Sequence, residues 1–501
     1  MRTSTNITFN FLSKIWGFLS LYMFSRIFLN LLGIDLYGVI SFYTLFFGTA
    51  SFIDAGLSAT INREFAKTHT DYYLKRLLLF FERLFLLLCV ILIFLIIIFS
   101  EKISMHWLSA NTLPTAALAS YVRLMGIAVG TQLMSSLYFG ALMGRQLQVR
   151  ANSIQIMVSI ARTLGGVLLL YVFPRNLYLF FSWQILCNLL QFSLFRHYVL
   201  HVLQTARHVS MMLRSEIDPK LWKYLGAMTL IAILSSLTIQ SDKLVASRLL
   251  NLADFGYYSL ASALSQLNIL IVAPIGFAIF PLLVRNYTSN DLIKLYKLYE
   301  LFLFIIGLVV IPVGIILCVW GNQLFELWIS ERYVAAAPTG INILIVFLTI
   351  GNTFQALMAM PFYLLSAQGR TKFTIYQASA EIIFLLPALY FMATTFGLAG
   401  LGVPWFIVKL LGYFYLNYMV EKLKPNNVQI RYKKALVYPA LTTLAIATIA
   451  HYVYNYTSRG LSPTILFIFL ILFSSLMINL LLYDKRVFRL SYIKTFIKPN
   501  L

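Results

Sequence analysis

Long apolar runs separated by short polar connections form the dominant pattern of this chain. A run of about 18 or more apolar residues is long enough to cross the hydrocarbon core of a bilayer as a helix. The runs predict about fourteen membrane-spanning helices and leave no stretch long enough for a soluble domain. The predicted spans are residues 11–32, 36–59, 77–99, 115–140, 152–173, 177–195, 224–247, 255–284, 300–320, 339–366, 374–395, 397–420, 435–456 and 462–483.

Composition agrees with this pattern. Of the 501 residues, 60% are hydrophobic and 11% are charged, whereas a soluble protein has about 25% charged residues. The first span is too long for the apolar core of a signal peptide, and no small-residue cleavage site follows it, so we expect it to be retained. Cys89, Cys187 and Cys318 all fall within predicted spans. We expect them to pack as small apolar residues, without a disulfide or a metal site.

The net charge of +22 is concentrated in alternate connections between the spans. By count, about 28 basic residues lie in these connections and about five lie in the loops between them, which is the asymmetry of the positive-inside rule. The basic connections, including 196–223 and 485–498, are therefore predicted to be cytoplasmic, as are both termini. No basic and aromatic module stands outside the spans, so we expect no nucleic-acid partner.

An internal duplication of about 220 residues divides the chain. Gly144-Arg145 recurs as Gly369-Arg370, and Trp183 recurs as Trp405 in the sixth and twelfth predicted spans. Six spans in each copy give both copies the same orientation, related by a pseudo-two-fold axis along the membrane normal. The predicted all-α fold therefore comprises an N-terminal six-helix lobe (1–196), a cytoplasmic amphipathic linker (197–223), a C-terminal six-helix lobe (224–421) and two additional helices with a basic cytoplasmic tail (422–501).

Charged side chains inside the predicted spans indicate where the function resides. An ion in hydrocarbon costs several kcal/mol, so it persists only with a partner or facing water. Basic residues outnumber carboxylates at this depth, which predicts a wet cationic cavity suited to an anionic substrate. Each basic residue has the alternative of a structural ion pair or of reaching outward to the headgroups. The basic residues are Arg26, Arg123, Arg162, Lys243 and Lys409, and the carboxylates are Asp242 and Glu381.

The fifth predicted span carries the clearest polar stripe. Asn152, Gln155, Ser159 and Arg162 step by three and four residues, so they share one face of a helix. Polar residues that join helices to one another would explain the amide and hydroxyl side chains. They explain the arginine poorly. We therefore predict that Gln155, Ser159 and Arg162 line the substrate cavity.

Glu381, and after it Asp242, are the candidate residues for ion coupling. A buried carboxylate can exchange a proton near neutral pH when desolvation and nearby cations oppose each other. A salt bridge from Glu381 to an arginine of the cavity is the alternative, and the choice between H⁺ and Na⁺ stays open. The sequence holds no nucleotide-binding glycine loop, catalytic triad or HExxH motif. We therefore expect neither an enzyme nor ATP hydrolysis, and no bound cofactor or metal.

Several runs together resemble bacterial O-antigen flippases, which are polysaccharide transporters of the superfamily that also includes multidrug and toxin extrusion transporters. The likeness covers about residues 10–420. It is carried by LGIDLYGVI at 32–40, DAGLS at 54–58, QSDKLVAS at 240–247, FGYYSLA at 255–261, YLLSAQGRTK at 363–372 and FGLAGLG at 396–402.

The resemblance implies flipping of an undecaprenyl-pyrophosphate-linked oligosaccharide, an O-antigen or similar repeat unit, from the cytoplasmic to the periplasmic leaflet of the bacterial inner membrane. Its expected partners are that lipid-linked saccharide, the bilayer, a polysaccharide polymerase and a chain-length regulator. The residues add a mechanism of alternating access, in which cations of a central cavity bind pyrophosphate while the two lobes rock.

Two other functions remain open at this point. A drug or metabolite–cation antiporter of the same superfamily would need an acidic cavity for cationic substrates. A membrane polysaccharide polymerase or glycosyltransferase would need a sizeable outer loop with catalytic residues, whereas the largest predicted outer loops are only 100–114 and 321–338. A lipid II-type flippase is a sibling within the favoured class.

Overall fold

The computed structural model describes residues 2–67, 70–109, 113–203, 216, 218–456 and 461–482. Within these ranges the secondary structure is helical, and the only β-pairing is an isolated bridge between Ser109 and Asn251. Eleven of the described helices are long and apolar enough to cross a membrane. The prediction of an all-α integral membrane protein is confirmed. Most of the predicted linker (204–215 and 217) and the basic tail from 483 onward lie outside the described residues.

The chain forms two compact units, Met1–Gly256 and Tyr257–Leu501. The helices of the first unit are α1 (Arg2–Leu32), α2 (Ile34–Ala50), α3 (Phe52–Ala66), α4 (Asp71–His106), α5 (Thr115–Leu133), α6 (Ser136–Gly144), α7 (Gln148–Val172), α8 (Leu177–Val202) and α9 (Pro219–Leu249). The boundary between the units falls within α10 (Leu252–Ser265). The second unit continues with α11 (Leu267–Thr288), α12 (Leu292–Ile329), α13 (Glu331–Ala335), α14 (Ile341–Ala367), α15 (Lys372–Gly400), α16 (Gly402–Leu423), a π-helical turn (Lys433–Val437), α17 (Tyr438–Tyr456) and α18 (Leu461–Leu482).

Three predicted spans are not among the eleven long helices. Residues 36–59 are divided at Ser51 between α2 and α3, and residues 255–284 are divided at Gln266 between α10 and α11. For 462–483 the apolar stretch found is shorter, Leu466–Asn479. The count of fourteen spans and the pseudo-two-fold axis therefore stay predictions.

Several helices extend well beyond their apolar runs. The spans predicted at 77–99 and 300–320 are the central parts of α4 and α12, which have 36 and 38 residues. Thr70 caps α4 by accepting from the amide of Tyr73, and Asp291 caps α12 by accepting from the amide of Lys294 at 3.0 Å. Polar helix ends carry no hydrophobic signal, so the periodicity could not include them.

In the first unit, α3 packs against α6 on one side and against α9 on another. Gly140 and Gly144 make the α3–α6 approach close, because a Cβ added at these positions would lie 2.6 Å from the Ser58 carbonyl oxygen and 2.4 Å from that of Asn62. Small residues four apart bring helix backbones together in a membrane, where packing drives association. This contact fixes α6 against α3.

In the second unit, α12 is the central helix and contacts α11, α14, α17 and α18. Its side chains supply much of a core whose largest members are fully buried aromatic rings, among them Tyr299 and Phe304. α16 packs along α14 and α15. Near the end of α15, the φ of Gly397 is +60°, a left-handed conformation that glycine adopts without strain, and it kinks the helix there.

The compact units divide the chain later than the predicted lobes do. The helix α9, which the duplication assigns to the second lobe, packs on α3 and α2 of the first unit. Ser236 of α9 donates to the Gly48 carbonyl at 3.0 Å, and Thr229 lies against Gly56. The predicted lobe and linker boundaries concern the sequence repeat, and they stay predictions.

Candidate functional site

A polar cluster surrounds Arg162 in the first unit. Nη2 of Arg162 donates to Oε1 of Gln191 at 2.8 Å, and Nε2 of Gln191 donates to Oε1 of Gln155 at 3.4 Å. Nε1 of Trp16, on α1, donates to Oγ of Ser159 at 3.1 Å. Three predicted cavity residues of α7 therefore lie together on one helix face, with partners from α1 and α8. We call these five residues the Arg162 cluster.

The Arg162 guanidinium is matched by neutral groups. Tyr43 of α2 and Cys187 of α8 lie near it, and its Nε is buried without a hydrogen-bond partner among the described residues. No described carboxylate forms an ion pair with it. Because amides and hydroxyls leave the net charge intact, this guanidinium remains available to an anion.

The Arg162 cluster is supported by a second polar layer. The hydroxyl of Tyr43 donates to Oε1 of Gln132 at 3.0 Å, and Nδ2 of Asn188 donates to the Ala128 carbonyl at 2.8 Å. Asn188 precedes Gln191 by three residues on α8, and both are buried. This buried polar face of α8, which Gln184 extends by another turn, was overlooked in the sequence although its spacing of four and three is helical.

Lys409 and Glu381 form a buried ion pair in the second unit. Nζ of Lys409 lies 2.8 Å from Oε2 of Glu381, and their side chains are 2% and 5% exposed. Lys409 also lies 4.5 Å from the ring centroid of Trp405, whose Nε1 donates to Oδ1 of Asn352 at 3.0 Å. Lys409 is one of the predicted cavity cations, and Glu381 is one of the predicted ion-coupling residues. The structure makes each the other's partner across α15 and α16.

An apolar groove of about 570 Å³ lies beside this pair, between α15 and α16. Glu381 and Gln377 contribute to its wall, and the exposed rings of Tyr376 and Phe384 border it. The other carboxylate oxygen of Glu381, Oε1, is buried and has no hydrogen-bond partner among the described residues. The side of the pair that faces the groove is thus lined mainly by apolar side chains.

Arg123 has a carboxylate partner that the span prediction had assigned to a loop. Its Nη2 lies 2.8 Å from Oε1 of Glu101, and its Nε donates to Oγ of Ser100 at 3.0 Å. Both charged side chains are substantially exposed, at 43% and 65%. Glu101 reaches Arg123 because α4 continues to His106, beyond the apolar run. Arg123 therefore belongs to an exposed pair near a helix end and not to the Arg162 cluster.

The remaining predicted site residues lie on α1 and α9. Arg26 is exposed on α1, about ten residues along the helix from Trp16, a distance of about 15 Å at 1.5 Å per residue. On α9, Asp242 is buried and Lys243 is half-buried. As sequence neighbours these two side chains point about 100° apart, so they are turned toward different surroundings. Both Arg26 and Asp242 have interaction partners in the structure.

Comparison with solved structures shows which known fold the chain shares. The fold matches lipid II flippase MurJ in an inward closed conformation, with a TM-score of 0.74 and 15% identity over 96% of this chain and 99% of that one. It also matches the Vibrio cholerae MATE transporter VcmN, with a TM-score of 0.57 and 15% identity over 84% and 98% of the two chains. The fold also matches an inward-facing multidrug resistance MATE transporter of the MOP superfamily. For that structure the TM-score is 0.58 and the identity is 15%, over 84% of this chain and 96% of that one. The chain is a multi-pass membrane protein with the MurJ/MATE fold.

Sequence comparison identifies the family. The model for polysaccharide biosynthesis proteins matches residues 3–287, more than half of the chain, and the chain belongs to that family. A Shigella flexneri protein described as "Putative O-antigen transporter" is 25% identical over 396 residues, 78% of this chain and 91% of that protein. These relatives are transporters and flippases. The predictions of a transporter of this superfamily, and of a protein that is not an enzyme, are confirmed.

Proposed function

We propose that this chain is a flippase for an undecaprenyl-pyrophosphate-linked oligosaccharide, an O-antigen or similar repeat unit. It carries the unit from the cytoplasmic to the periplasmic leaflet of the inner membrane. The family membership and the Shigella flexneri relative support the saccharide class. The MurJ-like fold supports a lipid-linked substrate.

The observation that carries the proposal is that, among the described residues, the Arg162 guanidinium hydrogen-bonds to a neutral partner and to no carboxylate. Pyrophosphate is a dense anion, and arginine binds phosphate oxygens through two parallel charge-assisted hydrogen bonds. A cationic drug would be repelled by the same charge. The Arg162 cluster therefore favours an anionic headgroup over the substrates of a drug–cation antiporter.

The neighbouring amides fit the carbohydrate. Gln155 and Gln191 each present both donor and acceptor atoms beside the guanidinium, and Ser159 and Trp16 add a hydroxyl and an indole N–H. Sugar hydroxyls need such mixed partners, because each hydroxyl both donates and accepts. The prenyl chain remains in the lipid while the polar head moves, so the protein has to shelter only the pyrophosphate and sugars.

Replacement of Arg162 by Gln tests this function. We expect Arg162→Gln to lower the rate at which a lipid-linked saccharide is flipped in proteoliposomes by about 10- to 100-fold. That factor corresponds to the free energy of one charge-assisted hydrogen bond. Arg162→Lys should recover part of the rate, because the charge survives and the bidentate fork does not. Surface polysaccharide in a flippase-deficient host should fall in parallel, at unchanged protein level.

The matched control is Lys102→Gln, which removes an exposed charge at the end of α4. It should leave the rate within about twofold. Normal flipping by Arg162→Gln, or an equal loss in Lys102→Gln, would overturn the role of the Arg162 cluster. Transport of an organic cation in place of the saccharide would favour the antiporter.

A further inference from the structure

A polar cavity of about 460 Å³ lies at one end of the second unit. It is bounded by the connections that follow α11, α14 and α16, which the charge distribution predicts to be cytoplasmic. Its wall includes Tyr287, Asn290, Tyr296, Gln368 and Arg370. Its size is within the range of about 300–1,000 Å³ that is usual for small-ligand sites.

Two polar atoms in this wall lack hydrogen-bond partners among the described residues. Oε1 of Gln368 is buried and unbonded although its Nε2 donates to the hydroxyl of Tyr296 at 3.3 Å. Nη1 of Arg370 is likewise buried and unbonded. The Gln368 side chain is held in place, since the residue is only 8% exposed. A buried polar group without a partner costs about 1–3 kcal/mol, so a ligand that hydrogen-bonded to both atoms would recover that cost.

The internal duplication gives a comparison for Arg370. Arg145, 225 residues earlier, forms an ion pair with Asp71 at the start of α4. The acid at the equivalent place in the second copy is Asp291, 220 residues after Asp71. Its carboxylate accepts from the amide of Lys294 and caps α12. The acid that neutralises the arginine in the first copy therefore serves as a helix cap in the second, and Arg370 faces the cavity with no described ion-pair partner.

We propose that this cavity binds a hydroxylated phosphate ester. Arg370 donates to the phosphate oxygens, as guanidinium groups do, and the buried Oε1 of Gln368 accepts from a ligand hydroxyl. A purely anionic ligand would leave the Gln368 oxygen unsatisfied, and a neutral polyol would leave the Arg370 charge unsatisfied. The glycerophosphate headgroup of a phospholipid and a free polyol phosphate share this chemistry. The site lies apart from the Arg162 cluster and does not depend on the proposed transport.

Binding to the purified full-length protein tests the proposal. The probes are dihexanoyl phosphatidylglycerol, glycerol 1-phosphate, and dihexanoyl phosphatidylcholine, which has a phosphate but neither a headgroup hydroxyl nor a net negative charge. We expect phosphatidylglycerol, alone or together with glycerol 1-phosphate, to bind at least about tenfold more tightly than phosphatidylcholine. Binding by glycerol 1-phosphate equal to phosphatidylglycerol assigns a soluble phosphate ester, and binding by phosphatidylglycerol alone assigns the lipid headgroup.

Two variants separate the two contacts. Arg370→Gln should weaken binding about tenfold or more, and Gln368→Leu about two- to tenfold. The matched control Lys372→Gln removes an exposed neighbouring charge and should leave the affinity within about twofold. If Arg370→Gln does not fold, Gln368→Leu decides alone. Unchanged binding in the folded variants, an equal loss in Lys372→Gln, or no preference over phosphatidylcholine would overturn the site.

Discussion

At the scale of single residues, the chain's membrane-depth charges differ in whether a neighbour neutralises them. Arg123 is matched by Glu101 and Lys409 by Glu381, whereas Arg162 is held by Gln191. The excess of positive charge within the predicted spans therefore lies on fewer side chains than the five basic residues counted in the sequence. A cation held by amides can exchange one of them for an anionic ligand without separating an ion pair.

The Lys409–Glu381 pair is predicted to stabilise the fold. Glu381→Gln should lower the free energy of unfolding by about 3–5 kcal/mol, because it leaves the lysine charge buried and unmatched. The double variant Glu381→Leu with Lys409→Met should regain most of that loss, since apolar side chains can replace a buried pair. Thermal unfolding in detergent measures both.

The same double variant tests ion coupling at this pair. We propose that a proton acts here by neutralising Glu381 and releasing Lys409. If so, a pH gradient should accelerate flipping by the parent protein in proteoliposomes and have no effect on the double variant. Equal acceleration of both proteins would show that this pair does not couple flipping to protons. If the pH gradient does not accelerate the parent protein, flipping is driven by the substrate gradient.

At the scale of helices, the 3.6-residue period explains which contacts were predictable. The polar face of α7 follows from spacing alone, and the structure places Gln155, Ser159 and Arg162 on it together. The period does not say which neighbour a face meets. Gln191 and Trp16 are partners of this face only because α8 and α1 pack against α7.

The contact between α3 and α6 yields a prediction of its own. Gly140→Ala should lower stability by about 1–3 kcal/mol, because the added Cβ meets the Ser58 backbone, which cannot give way as a side chain can. Gly226→Ala on α9 is the control, since nothing lies within 4 Å of a Cβ there. That change should be neutral or stabilise by up to about 1 kcal/mol. The temperature of thermal unfolding should therefore fall for Gly140→Ala, and it should stay unchanged or rise for Gly226→Ala.

At the scale of the whole molecule, the charge asymmetry predicts the topology. Reporter fusions after residues 105, 210, 330 and 490 should read outside, inside, outside and inside, because basic connections stay in the cytoplasm. Residues 210 and 490 lie outside the described ranges, so the prediction rests on charge alone. One reversed reporter would contradict the parallel arrangement of the two copies.

The duplication reappears in the ion pairs of the two units. Glu82 pairs with Arg196 at 2.7 Å in the first, and Glu300, 218 residues after Glu82, pairs with Arg431 at 2.5 Å in the second. Both glutamates are buried near the predicted cytoplasmic ends of the long helices α4 and α12. Equivalent helices thus keep one internal acid, while Arg145 and Arg370 have diverged in their partners.

The sequence by itself determined that this chain is a helical membrane protein, which parts are apolar, and which face of α7 is polar. Hydrocarbon thickness and helical period are local constraints, and both can be read from consecutive residues. Only the tertiary structure decided which charges are neutralised. Lys409 meets Glu381 across 28 residues and Arg123 meets Glu101 across 22, through the packing and true length of neighbouring helices. Such pairings depend on how whole helices dock, and no local pattern records that.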